Sequence, residues 1–334
     1  MARASTAAVV LVVSFYVLVS VSTTLMNKSA FPREVFPFPF TVTCFQMAVA
    51  LLWLAVLSVF QRVGPASVLH PLGLSGKPLS WDPLAMRPAL FVALAFTGML
   101  ATGNLCLMFV QVSFYQAAKS QHILFSLLLS AALGRTVGLD IAAACAGVAV
   151  GFVINATAEV DIVRSLLDDD LSSLAMGVGA GLVSSFFVAL YPLLLKRSMQ
   201  TALDNWQISI NVNMMSFVWF LPLIGYEVLQ GGMLENKKLY DPNFWAFNFA
   251  TASVGFVLNI ASMLQVRLTS PLTHMVVGAF KGAVTTCLGV VIFGNRMSLT
   301  SAAGVSILIL SSFAYSYLKY QHSQSEQQDD DKDK

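Results

Sequence analysis

"SPLTHMVVGAFKGAVTTCLG", residues 270–289, holds one full positive charge, Lys281, with thirteen uncharged residues before it and fourteen after it. A charge at the centre of a membrane-spanning helix costs about 2.5–3.5 kcal/mol on insertion scales. Two explanations are open for such a lysine: its stem carries the ammonium to an interface, or the charge faces a polar interior and meets an anion. The choice depends on what the rest of the chain is.

The 334 residues are 57% hydrophobic and 11% charged, with a mean hydropathy of +0.73, whereas a soluble domain is about a quarter charged. This is the composition of a membrane protein. A net charge of +2 is too mild to draw nucleic acid. The four cysteines, Cys44, Cys106, Cys145 and Cys287, all fall within apolar runs and read as packing residues rather than a disulfide framework. His and Cys spacings suited to a metal are absent, and no cofactor is expected. The apolar stretch near the N-terminus is too long for a signal peptide and reads as a retained first span.

Charges mark the ends of spans. The uncharged intervals run 4–27, 35–61, 88–118, 141–158, 171–195, 205–226, 242–266 and 297–318. The third interval is long enough to turn near "VQVS" and begin another helix through Lys119 to Gly134, and Lys281 interrupts a span from about Pro271 to Gly294. The reading is an all-α polytopic membrane protein of ten transmembrane helices, one domain over 1–320, with a disordered cytosolic tail at 321–334. The termini's side collects eleven Lys and Arg, including Arg62, Lys196 and Arg267, against five on the other side, so both termini are expected in the cytosol. The connection 63–87 reads as a linker.

Ten helices invite division into two fives, repeat one about 6–157 and repeat two about 171–320. In each half a lysine comes early in the fourth helix and a Gly ends it beside an Arg: Lys119 lies fifteen residues before Gly134, and Lys281 thirteen before Gly294. An odd number of helices per half inverts one half against the other, which brings both lysines toward one central cavity. No Asp or Glu falls inside a span, Glu227 lying toward the far end of the seventh. The missing counter-ion is then most simply the cargo, and lysine is an established phosphate ligand.

"VVSFYVLVSVSTTLMNK", "GNLCLMFVQVSFYQAAKSQHILFSLLLS" and "RLTSPLTHMVVGAFKGAV" resemble the nucleotide-sugar and triose-phosphate transporter branch of the drug/metabolite transporter superfamily. The likeness runs from about Val10 to Tyr320 and is greatest to the Golgi GDP-fucose carriers. It implies two inverted five-helix repeats, and exchange of cytosolic GDP-fucose for lumenal GMP by alternating access. Lys281 matches the family's lysine at the phosphates, Gly278 and Ala279 the small residues that admit the nucleotide, and Tyr16 a tyrosine near the guanine. "INVN", 210–213, stands where the family has "FYNN", so Asn213 is carried over for base or ribose contact. The sequence reads "GAFKG" where GDP-mannose carriers have "GALNK", Gly282 where triose-phosphate carriers have Arg, and Lys119 where animal GDP-fucose carriers have Arg. Another nucleotide sugar, GDP-mannose or a UDP-sugar, or a phosphorylated metabolite is the alternative cargo.

Tyr115, Gln116 and His274 are expected toward the sugar, with helix packing as the competing role of His274. His122 is expected neutral, and Asn104 and Asn259 as interhelical hydrogen bonders. Gly98, Gly147, Gly151 and Gly289 are read as sites of close helix contact. A membrane-embedded transferase would need carboxylates or histidines clustered at a metal, and the spans carry none, so no enzyme is expected. A channel would need no matched binding lysines. Membrane lipid is the expected surrounding, and a homodimer is left open.

Overall fold

The computed structural model describes residues 6–31, 33–63, 86–134, 138–166, 171–198, 205–268, 271–294 and 297–332. Apolar runs bounded by charge become helices because in lipid each backbone N–H and C=O must be bonded within its own segment. The described chain is helical, in the order α1 Thr6–Ala30, α2 Pro39–Val63, α3 Met86–Phe109, α4 Val112–Ser120, α5 His122–Ala132, α6 Leu139–Leu166, α7 Leu171–Ser198, α8 Asn205–Leu229, α9 Pro242–Leu268, α10 Pro271–Phe293 and α11 Leu299–Lys332. Eight of these, α1 to α3, α6 to α9 and α11, are long and apolar enough to cross a membrane, and α10 carries a shorter apolar stretch, Phe280–Phe293. The protein is a multi-pass membrane protein.

The expected turn at "VQVS" is present, between Phe109 and Val112. The fourth span, expected continuous to Gly134, is instead broken at Gln121 into α4 and α5. Gly134 and Gly294, which close α5 and α10, both adopt positive φ, 74° and 62°, the left-handed turn that ends a helix and that a residue without Cβ adopts at least cost. α11 continues as helix to Lys332, through the segment expected to be disordered; its Gln, Glu and Lys are good helix formers, with no Gly or Pro to stop them. The connection read as a linker lies almost wholly outside the described residues.

The main pairings are α3 on α7, α6 on α11, α1 on α9, α2 on α8 and α4 on α10. Close approach depends on small residues. A Cβ at Gly151 of α6 would lie 2.7 Å from the Leu308 backbone nitrogen and 2.8 Å from the Gly304 carbonyl oxygen of α11. At Gly98 of α3 it would lie 2.5 Å from the Phe187 ring of α7. Asn104 donates to Thr43 Oγ1 at 2.9 Å, and Ser301 Oγ to Asn155 Oδ1 at 2.7 Å, binding α3 to α2 and α11 to α6. Asn259, expected in a similar role, is exposed.

Charged groups secure two helix ends. Lys28 Nζ donates to the Leu107 and Val110 carbonyls, both at 2.7 Å, placing a cation at the negative end of α3. Glu227, 5% exposed, accepts from the backbone N–H groups of Phe40 and Thr41 at 2.7 and 2.8 Å and from Thr41 Oγ1 at 2.7 Å, a carboxylate from α8 on the positive end of α2. Glu227→Ala leaves those donors without their acceptor. The expected loss is about 2 kcal/mol, read as a lowered unfolding temperature of the purified protein in detergent; an unchanged temperature would show that water replaces the carboxylate.

Candidate substrate-binding site

The break at Gln121 shapes the centre of the molecule. A helix that ends at membrane depth leaves its last carbonyls short of backbone donors; here the Gln121 N–H reaches the Ala118 carbonyl at 3.1 Å and side chains add further donors. Ser120 Oγ donates to the Gln116 carbonyl at 2.9 Å, Gln121 Nε2 to Ala117 at 3.5 Å and across to the Val148 carbonyl of α6 at 3.3 Å, and Ser185 Oγ of α7 to Ala118 at 2.5 Å. His122 Nδ1 stands 2.8 Å from the Lys119 carbonyl. A carbonyl only accepts, so Nδ1 carries the proton. The negative end of α4 is therefore capped, and it carries Lys119 in its last turn, where a cation is favoured.

A cavity of about 420 Å³ opens beside this break, within the range of small-molecule sites, about 300–1,000 Å³. Four helices supply most of its lining, each with one face, and His122 and Ile123 of α5 and Val188 of α7 complete it. From α1 come Tyr16, Ser20 and Thr24; from α4 Ser113, Gln116 and Lys119; from α10 Gly278, Lys281 and Thr285; from α11 Leu308, Ser312 and Tyr315. The spacings of three, four and seven are those of residues stacked along one side of a helix. Lys281 Nζ donates to Tyr16 Oη at 2.7 Å and lies 4.8 Å from the centre of that ring. Lys119 Nζ lies 5.6 Å from the Tyr115 ring. Among the described residues lining the cavity none is acidic.

Of the nine residues singled out in the sequence, the cavity brings together Lys119, Lys281, Tyr16, Gln116 and Gly278. Tyr115 backs the wall, packed against the core beneath Lys119. Asn213 is not among the residues that line it: it is buried in α8, its amide donating to the Ser209 carbonyl of its own helix at 2.8 Å. Tyr16, expected near the guanine, is in contact with Lys281. His274 and Ala279 are on α10, but their side chains lie outside the described set. Sequence reasoning missed the hydroxyl faces, Ser20 and Thr24 on α1 and Ser312, Tyr315 and Ser316 on α11. Their helical spacing within apolar spans was the available signal. It also missed the break, which the run Lys119-Ser120-Gln121-His122, four polar residues in an apolar span, announces.

The sequence and the fold have counterparts among known proteins. A GDP-fucose transporter 1 of Dictyostelium discoideum is 31% identical over 91% of this chain and 79% of its own length. A Golgi GDP-fucose transporter of Drosophila melanogaster is 26% identical over 90% of this chain and 87% of its own. One solved crystal structure superposes with a TM-score of 0.53 at 14% identity, covering 94% of this chain and 98% of its own, a likeness of fold. The Triose-phosphate Transporter family matches residues 7–316, a span that holds every residue named above as lining the cavity, and the chain belongs to that family.

Proposed function

We propose that this protein is a nucleotide-sugar antiporter that exchanges cytosolic GDP-fucose for lumenal GMP by alternating access, in the Golgi membrane with both termini cytosolic. The observation that carries the reading is two lysines on one cavity, Lys119 and Lys281, with no acidic side chain among the described residues that line it. The names of the relatives support the cargo and the organelle. Ten spanning helices in two inverted repeats accord with the reciprocity of the packing: α3 meets α7 as α1 meets α9, α3 meets α8 as α2 meets α9, and α4 meets α10 across the centre. Lys281 and Lys119 hold the phosphates, Gly278 admits the nucleotide to the backbone, and Tyr16 and Gln116 border it.

Exchange follows from the charges. A nucleotide sugar and a nucleoside monophosphate each bring about two negative charges near neutral pH, which match the two ammonium groups. An empty carrier must close with both ammonium groups facing a dry cavity, and burying unpaired charge is costly. Vesicles holding labelled GMP should therefore retain it without external nucleotide and release it when GDP-fucose is added; fast release into nucleotide-free buffer would refute exchange. GDP-mannose, UDP-sugars and triose phosphate, offered in turn, test the cargo. Stronger release by any of these would transfer the reading to that cargo.

A further inference from the structure

A third lysine approaches the same cavity. Tyr315 of α11 is 6% exposed and lines it. Lys319, one helical turn on, donates to Tyr315 Oη at 3.0 Å and lies 5.3 Å from the ring centre. Lys319 is an exposed residue at the end of a span, and its ammonium rests against a hydroxyl of the cavity wall. The geometry repeats that of Lys281 on Tyr16, 2.7 Å and 4.8 Å. Where lysine donates to a phenol oxygen, the phenol hydrogen is directed to another acceptor, so each pair presents an ammonium and an O–H donor side by side. Lys119, Lys281 and His122 line the same cavity as Tyr315.

We propose that Lys319 and Tyr315 form an outer anion subsite, which takes a phosphate group of the nucleotide cargo at the margin of the cavity before that group reaches Lys119 and Lys281. The proposal rests on the nucleotide reading above. Two charges suffice to neutralise the loaded centre, so a third lysine adds attraction on approach rather than holding power at the centre. Its removal should act on capture, and charges that steer anions lose their effect in salt.

The test uses the full-length carrier in proteoliposomes, with GDP-fucose outside and labelled GMP inside. Lys319→Gln should raise the half-saturating concentration roughly five- to tenfold, as expected for one lost charge-assisted contact, with the maximal rate within about twofold and a shallower dependence on salt. Lys319→Arg should restore capture, and Tyr315→Phe should show a smaller rise. An unchanged half-saturation, or a lower maximal rate at unchanged half-saturation, overturns the subsite. A second measurement is independent of the transported cargo: protection of the purified carrier from thermal unfolding by inorganic pyrophosphate. Weaker protection of Lys319→Gln than of wild type supports the subsite, and equal protection overturns it, even if wild type exchanges no nucleotide and the functional reading fails by itself.

Discussion

Lys281→Ala is expected to abolish exchange and, in the same protein, to leave thermal stability unchanged or raised. The two effects have one cause. In the empty carrier the ammonium is a charge within a span, held by one phenol oxygen and one aromatic face, and its removal relieves a cost of about 2.5–3.5 kcal/mol on insertion scales. In the loaded carrier proposed above it is a principal partner of the phosphates. Loss of a charged hydrogen-bonding partner worth about 3 kcal/mol lowers binding by roughly 100-fold, and the remaining cargo charge is no longer matched during closure. Exchange in proteoliposomes, measured beside the unfolding temperature of the same preparation, tests the pairing of signs. Substantial exchange by Lys281→Ala would remove Lys281 from the site. Lost exchange with a large fall in stability would make it a structural residue.

Gly151→Leu is expected to yield little folded protein. The side chain would have to enter between α6 and α11, where a Cβ alone already stands 2.7 Å from the Leu308 nitrogen, 2.8 Å from the Gly304 oxygen and 3.0 Å from the Leu308 Cα. These are backbone atoms, so no rotamer change makes room and the whole of α11 must shift. The reverse contact is as tight: a Cβ at Gly304 would lie 2.8 Å from the Asn155 nitrogen and 2.9 Å from the Gly151 oxygen. Overpacking against rigid backbone exceeds the usual range, so a loss of at least about 3 kcal/mol is expected. It would also withdraw Leu308, Ser312 and Tyr315 from the cavity. Gly179→Ala is the control, since nothing lies within 4 Å of a Cβ there; alanine in that helix interior should stabilise by about 0.5–1 kcal/mol. Normal yield and stability of Gly151→Leu would contradict the close α6–α11 contact.

The spans were legible because charge is so costly in lipid that its positions outline the helices with little ambiguity. The same logic exposed Lys119 and Lys281, and the φ values of Gly134 and Gly294 give the matched helix ends a physical basis. Less was legible where polarity satisfies itself locally. Serine and threonine can donate to the carbonyl four residues back and so sit anywhere in a span, which concealed the hydroxyl-bearing faces. Asn213 shows the converse: its motif position suggested the nucleotide, yet its amide is engaged by its own helix. Glu227 could not be placed by charge counting, because its neutralising partners are backbone N–H groups of a helix distant in sequence. The break at Gln121 depends on donors from α4, α5 and α7 together, a coincidence in space.

Those hydroxyls give the cavity a chemical polarity. Thr24, Ser120, Thr285, Ser312 and Ser316 each commit their hydrogen to the carbonyl four positions earlier, leaving only lone pairs turned outward. A phosphate oxygen, rich in lone pairs itself, finds no welcome there and is left to the ammonium and phenol groups. A sugar ring or a purine amine, which carries hydrogens to give, finds a row of takers. For the proposed cargoes, guests of equal charge would then be sorted by where their own donors fall along that row.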